Sequence, residues 1–369
     1  MRTGTLVRVR NRYIDLLRAI AIIRVVTYHT LGFWWLTVVF PAMGLMFALG
    51  GSLMASSLDR TGVGAVGRRL RRILPPVWIS GVIAISTMYF VGGLPAHWRL
   101  LTWFVPVTDP PTNEWASHWL AMIWYIRSYF WFLVLSPVML CVFRRWPIPS
   151  LLVPFAVLVT LVVSGSPLGT GGTVRDFFYY APAWMLGFAH HDGTLQRLPK
   201  RLVWFGSSVL AIVGLAMLFS SPGPRGYDLN DAPVSDVLWS TAFLLVALAC
   251  APKRLALGRA EPLVAAVNRR ALTIYLWHQA AITIVVDVAA VVGFVWNPYA
   301  WNGVVELILV LGLTAMLALV FGWVEDIAAR RRPRLVPVPR PARRPDPVRI
   351  VQPARPADHE TLLPEPANA

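Results

Sequence analysis

Charge and sulfur are scarce in this sequence. Of 369 residues, 14% are charged, 18 are acidic and two are cysteines. Cys141 and Cys250 each sit inside an apolar run with no partner at metal-ligand spacing, so a disulfide framework and a zinc site are excluded and both read as free core thiols. No Gly-Lys-Ser/Thr phosphate loop and no Gly-x-Ser-x-Gly nucleophile turn occur, which removes P-loop nucleotide hydrolysis and the serine-hydrolase elbow. His190 and His191 are adjacent and would project about 100° apart on a helix, a poor chelate. What the chain has in abundance is apolar surface. Hydrophobic residues make up 56% of it, a composition foreign to a soluble protein of this length.

The apolar residues come in blocks of about 17 to 24, the length a helix needs to cross a hydrocarbon core of about 30 Å. Ten such segments are predicted, near 13–34, 36–57, 75–93, 119–142, 149–165, 176–190, 202–220, 235–251, 271–294 and 303–325. The fold class expected is an all-α integral membrane protein of about ten transmembrane helices. The segment after Arg2, Arg8, Arg10 and Arg12 is too long for a signal peptide and lacks a cleavage pattern, so the first helix is expected to be retained.

Net charge is +16, which in a soluble chain would suggest nucleic acid. Its distribution argues for membrane topology and anionic lipid headgroups instead. With the N-terminus cytoplasmic, 28 of the 34 Lys and Arg fall in inside segments, Arg99, Arg175 and Arg225 fall outside, and Arg18, Arg24 and Arg127 lie within spans. That asymmetry fits both termini cytoplasmic. Three regions result: a basic N-terminus over 1–12, a transmembrane domain over 13–328, and a tail over 329–369. From Pro333 the tail holds ten prolines in 37 residues, mixed with arginine, and is expected to lack a core.

Ionisable residues inside spans are the informative ones, because each costs about 2.5 to 3.5 kcal/mol at a helix centre. The first span supplies Asp15, Arg18, Arg24 and His29. Arg18 and His29 are eleven residues apart, which brings them within about 20° on one face and separates them by roughly 16 Å along the axis. Asp15 joins that stripe, and Arg24 points about 240° away from Arg18, towards another cavity or helix. A lone membrane histidine is as readily a structural residue bonded to a carbonyl; the shared face with Arg18 and Asp15 favours function for His29. Arg68, Arg69, Arg71 and Arg72 precede Pro75 and Pro76 at the mouth of the third span. Arginines there are ordinary topology determinants, and four forked guanidinium groups in five residues also suit an anionic phosphate. His278 lies about two turns into the ninth span. Arg127 needs a carboxylate, which Glu306 or Asp287 could supply, while Glu325 is placed to snorkel.

Taken as a set, Arg18 with ten residues before His29, Arg69-x-x-Arg72-Ile-x-Pro75, Trp124-Tyr-Ile with Pro137, and Ile274-Tyr-Leu-Trp-His278 resemble the acyltransferase 3 family of polytopic membrane O-acyltransferases. The resemblance covers residue 12 to about 325. It implies a multi-pass protein of a bacterial plasma membrane. Its reaction would move an acyl group, usually acetyl, from cytoplasmic acyl-coenzyme A to a hydroxyl of a carbohydrate, envelope glycan, lipid-linked sugar or secondary metabolite. The family's essential Arg and His map onto Arg18 and His29, and its paired arginines onto Arg69 and Arg72. Acyl transfer needs a base, and His29 is the best placed, either deprotonating the acceptor or carrying the acyl group. Arg68, Arg69, Arg71 and Arg72 would hold the coenzyme A phosphates and His278 would line the donor path. Acyl-coenzyme A is then a donor substrate, with no permanently bound cofactor and no metal, and the partners are the donor, a hydroxylated acceptor and membrane lipid, with no nucleic acid. Two departures mark a divergent subgroup: Arg127-Ser128-Tyr129-Phe130 stands where many members carry a Ser-Val-Glu-Glu run, and the second span reads Gly44-Leu-Met-Phe47-Ala-Leu-Gly50-Gly51-Ser52 in place of the commoner form with Ser before Gly; no fused hydrolase-like domain is expected after the tenth span. The competing reading is a transporter or flippase, which would also need ten helices and a polar track.

Overall fold

The computed structural model describes residues 12–95, 98–166, 168, 172–252 and 255–335, without the side chains of 118–121. The expected N-terminal arm and most of the expected tail lie outside the described residues. Among the described residues the secondary structure is helical, with a single isolated β-bridge between Gly223 and Gly226.

Ten helices of 17 residues or more fall on the ten expected segments: α1 (Arg12–Leu31), α3 (Ala42–Thr61), α4 (Gly64–Phe90), α5 (Ile123–Arg145), α6 (Pro147–Val163), α7 (Gly172–His191), α9 (Lys200–Ser220), α10 (Pro233–Ala249), α12 (Ala271–Val291) and α13 (Trp301–Phe321). Short helices α2 (Trp35–Val39), α8 (Thr194–Arg197), α11 (Glu261–Arg269) and α14 (Trp323–Ala328) connect or follow them. Among the described residues, six helical segments are long and apolar enough to cross a membrane: α2 with α3, then α4, α5, α9, α12 and α13. α6 and α10 are apolar but shorter. Exposed Phe205, Ile212, Val291 and Ile308 show the apolar outer surface that a lipid environment requires. Cys141 belongs to that surface and not to the core, which corrects the expectation for that thiol; an apolar run in a membrane chain faces lipid as readily as protein.

One boundary differs in a way that matters for the site. The basic run is not a loop at the mouth of a span: Arg68, Arg69, Arg71 and Arg72 are part of the 27-residue α4 itself. Arginine is a good helix former, and Pro75 and Pro76 are accommodated within the helix, as prolines often are where neighbouring helices satisfy the freed carbonyls. A helical run places Arg68, Arg69 and Arg72 on one face, three and four residues apart.

The core is built around α7, which runs closely against α3. A Cβ on Gly51 would collide with the Trp184 carbonyl, and one on Gly187 with the Ala48 carbonyl, so glycine is what lets the two backbones touch. Trp184 is fully buried there, stacked on Phe132 with centroids 5.0 Å apart, and its indole N–H donates to Ser136 Oγ at 3.0 Å. α1 and α5 pack against this wall, α12 packs on α1, and two cavities lie among them.

Candidate active site

The larger cavity, about 610 Å³, lies at the N-terminal end of α1. Arg18 of α1, Arg60 of α3, and Arg68, Arg69, Arg71 and Arg72 of α4 line it, together with Arg330 and Arg331 just beyond α14. Eight guanidinium groups thus converge on one space with Glu325 as the acidic residue in the lining. Arg69 is anchored: its Nη2 donates to the Leu53 carbonyl at 2.6 Å and to Ser57 Oγ at 3.0 Å. So dense a cationic lining, without matching carboxylates, suits a polyanion such as a chain of phosphates.

Glu325 corrects its expectation. It does not snorkel: its Oε1 accepts from the Thr273 amide at 2.5 Å and hydroxyl at 2.6 Å, tying α14 to the start of α12. Asp326 beside it is buried and accepts from Arg269 and Arg270, at 3.0 and 2.9 Å, and from the Arg334 amide. These bonds fold the chain back so that Arg330 and Arg331 reach the cavity.

The second cavity, about 400 Å³, lies at the other end of α1 and holds His29. Arg24, Tyr28, Trp124, Tyr179, Tyr180 and Tyr275 share its lining with the charged residues Asp109, Arg127, Arg175, Asp176 and Arg225. Arg127 is fully buried and bonds both Asp109 and Asp176, so neither Glu306 nor exposed Asp287 is its partner, correcting the assignment from sequence. The reason is topological: Asp109 arrives on the connection between α4 and α5 and Asp176 on the first turns of α7, pairings no helical spacing could show. Arg175 joins through Asp176 Oδ1 at 2.9 Å. The segment after α9 closes another side: Tyr28 donates to Asp228 Oδ2 at 2.5 Å, and Arg225 donates to the Tyr28 oxygen at 2.9 Å while pairing with Asp231. Asp231 is held below the ordinary carboxylate range chiefly by those Arg225 hydrogen bonds, and Arg225 is raised in turn.

Arg18 and His29 therefore face different cavities, as the separation of roughly 16 Å along α1 requires. Tyr275 of α12 borders both. Its hydroxyl donates to the Met122 carbonyl at 3.1 Å, and its ring lies 4.9 Å from that of Tyr125, which lines the larger cavity. The structure thus brings Arg18, Arg68, Arg69, Arg71 and Arg72 together in one cavity and sets His29 in the other. His278 lines neither: it is fully buried behind Tyr275, its ring 5.3 Å from that of His29. The Tyr275 carbonyl accepts from His278 Nδ1 at 2.7 Å, so Nδ1 carries the proton, and Nε2 has no hydrogen-bond partner among the described residues. Asp15, expected on the Arg18 stripe, is not part of either lining.

Sequence reasoning left Tyr275, Tyr28 and the Arg330–Arg331 pair unassigned. It saw Arg175 and Arg225 only as residues outside the spans and Asp176 not at all. The signal available was the number of charges at the helix ends nearest His29. A family model described as an acyltransferase domain matches residues 11–323, nearly the entire chain. No curated protein and no solved structure matches it.

Proposed function

Because the chain belongs to the acyltransferase 3 family and is a membrane acyltransferase, we propose that it moves an acyl group, acetyl by preference, from acyl-coenzyme A to a hydroxylated acceptor, with His29 as the base. The observation that carries this is the pair of cavities separated by Tyr275, one lined by eight arginines and the other holding His29. The arginine-rich cavity faces the cytoplasm of a bacterial cell, since the inside segments hold most of the Lys and Arg. It takes the phosphates of the donor on Arg18, Arg68, Arg69, Arg71 and Arg72, with Arg330 and Arg331 completing the ring. The thioester arm runs past Tyr275 towards His29. The acceptor enters the smaller cavity from the opposite side, as a carbohydrate, envelope glycan or metabolite hydroxyl.

The chemistry then needs few parts. His29 takes the proton from the acceptor hydroxyl as its oxygen bonds to the thioester carbonyl carbon. The carbon–sulfur bond breaks, and the proton leaves with the coenzyme A sulfur. His278, with its Nδ1–H fixed on the Tyr275 carbonyl, supports the His29 ring from behind. Release of free coenzyme A from acetyl-coenzyme A by the protein in lipid nanodiscs, across a panel of hydroxylated acceptors, tests the reading. Acceptor-dependent release that disappears in His29→Ala is expected. Equal release by the variant would remove His29 from the reaction, and ion-coupled uptake of a solute without acyl transfer would replace the enzyme with a transporter.

A further inference from the structure

One cation lining the cavity that holds His29 makes no direct ion pair among the described residues. Arg127 is bound to Asp109 and Asp176, Arg175 to Asp176, and Arg225 to Asp231. Arg24 also lines the cavity and is 91% buried, yet among the described residues it meets no carboxylate. Its Nε donates to the Leu36 carbonyl at 3.1 Å and its guanidinium carbon lies 5.0 Å from the centre of the Tyr28 ring. Asp228 and Asp236 attract it through space without bonding it, since their oxygens are taken by neutral donors: Asp228 accepts from Tyr28 and the Asn230 amide, and Asp236 accepts from Tyr179 at 2.7 Å and Ser240 at 2.8 Å. A buried cation in a membrane protein is costly unless it has a function or a partner. Here the open side of that cation is the cavity itself.

We propose that Arg24 is the recognition site for a negatively charged group on the acceptor, so that the molecule acylated is a hydroxylated anion such as a sugar acid or sugar phosphate. The inference rests on His29 being the residue that meets the acceptor hydroxyl. Arg24 and His29 are five residues apart on α1, roughly 7.5 Å along the axis and about 140° around it, and both reach the same cavity. A carboxylate or phosphate on Arg24 then leaves a hydroxyl about one sugar ring away at His29, within a space of about 400 Å³. The planar faces of Tyr28, Trp124, Tyr179 and Tyr180 are suited to cover that ring. Arg24 takes no part in bond making: it binds the anion and fixes which hydroxyl is presented.

Equilibrium binding tests this without any donor. Calorimetric titration of the protein in nanodiscs uses glucuronate, glucose 6-phosphate and neutral methyl glucoside. In the unaltered protein at least one anion is expected to bind about tenfold or more tightly than the neutral sugar. Whether it is the carboxylate or the phosphate identifies the group recognised. Arg24→Gln should bring anionic and neutral sugars within about twofold of each other, and Arg24→Lys should keep part of the preference. Absence of anion binding, equal binding of anions and methyl glucoside by the unaltered protein, or a preference that survives in Arg24→Gln would each overturn the proposal. Because the unaltered protein decides the first two outcomes, a variant that fails to fold does not shield it. Anion preference without coenzyme A release would sink the acyltransferase reaction and keep the site, whereas His29-dependent acylation of neutral acceptors as fast as anionic ones would do the reverse.

Discussion

Arg72→Gln is the most informative change in the arginine-rich cavity. Arg69 is a poorer choice, because its hydrogen bonds to Leu53 and Ser57 hold α3 against α4 and its loss mixes folding with binding. Arg72 lines the same space and makes no hydrogen bond to the rest of the protein among the described residues, so its removal costs the fold little. A hydrogen bond between charged partners contributes about 1.5 to 3 kcal/mol, and the exposure of Arg72 argues for the lower end. At about 1.4 kcal/mol per factor of ten, acetyl-coenzyme A should bind Arg72→Gln roughly tenfold more weakly. Salt gives a second handle, since the screening length falls from about 10 Å at 0.1 M to about 3 Å at 1 M and eight converging arginines act largely through long-range charge. Calorimetric titration of the protein in nanodiscs, at both salt concentrations and with the melting midpoint as control, measures this. Affinity within about twofold of the unaltered protein, with salt dependence intact, would show that the donor phosphates lie elsewhere.

Three further outcomes follow from the geometry. Gly187→Ala drives a methyl group into the Ala48 carbonyl, and the forced separation of α3 and α7 should destabilise the protein by about 1 to 3 kcal/mol, read as a lower melting midpoint; an unchanged midpoint would mean the helices are not in contact there. Arg127→Met strands Asp176 as a buried, half-paired carboxylate and should cost about 3 to 5 kcal/mol, part of which Asp176→Asn in the same chain restores; no recovery in the double variant would contradict the pairing. Among the described residues Arg330 is the non-glycine residue with positive φ, at 55°, in a position that follows α14 and that glycine fills more cheaply. Arg330→Gly should therefore raise stability by about 1 kcal/mol while weakening coenzyme A binding several-fold, and a variant that gains stability with donor affinity intact would take Arg330 out of the site.

The helices and their order could be read along the chain because a membrane span is a local property: twenty or so apolar residues declare it wherever they occur. The Arg18–His29 stripe was legible for the same reason, being one helix seen end to end. The division of that stripe between two cavities was not, because the divider is Tyr275, an unremarkable tyrosine 246 residues further on from His29. Arg127 shows the limit most clearly. Its two carboxylates come from a connection and from the start of another helix, and only the assembled bundle places them together. Glu325 failed in the opposite sense: at a helix end beside solvent it reads as a snorkelling residue, yet Thr273 offers it two donors that water would otherwise supply.

The central claim is that one cavity binds the donor and the other performs the transfer. Its most direct test follows radiolabelled acetyl from acetyl-coenzyme A to acceptor in a single turnover, with donor binding measured on the same nanodisc samples, for the unaltered protein and His29→Gln. The account predicts donor affinity unchanged in the variant and label transfer slowed by at least about a hundredfold, the scale expected when a positioned base is lost. Transfer at the original rate, or loss of donor binding together with transfer in a folded variant, would contradict it.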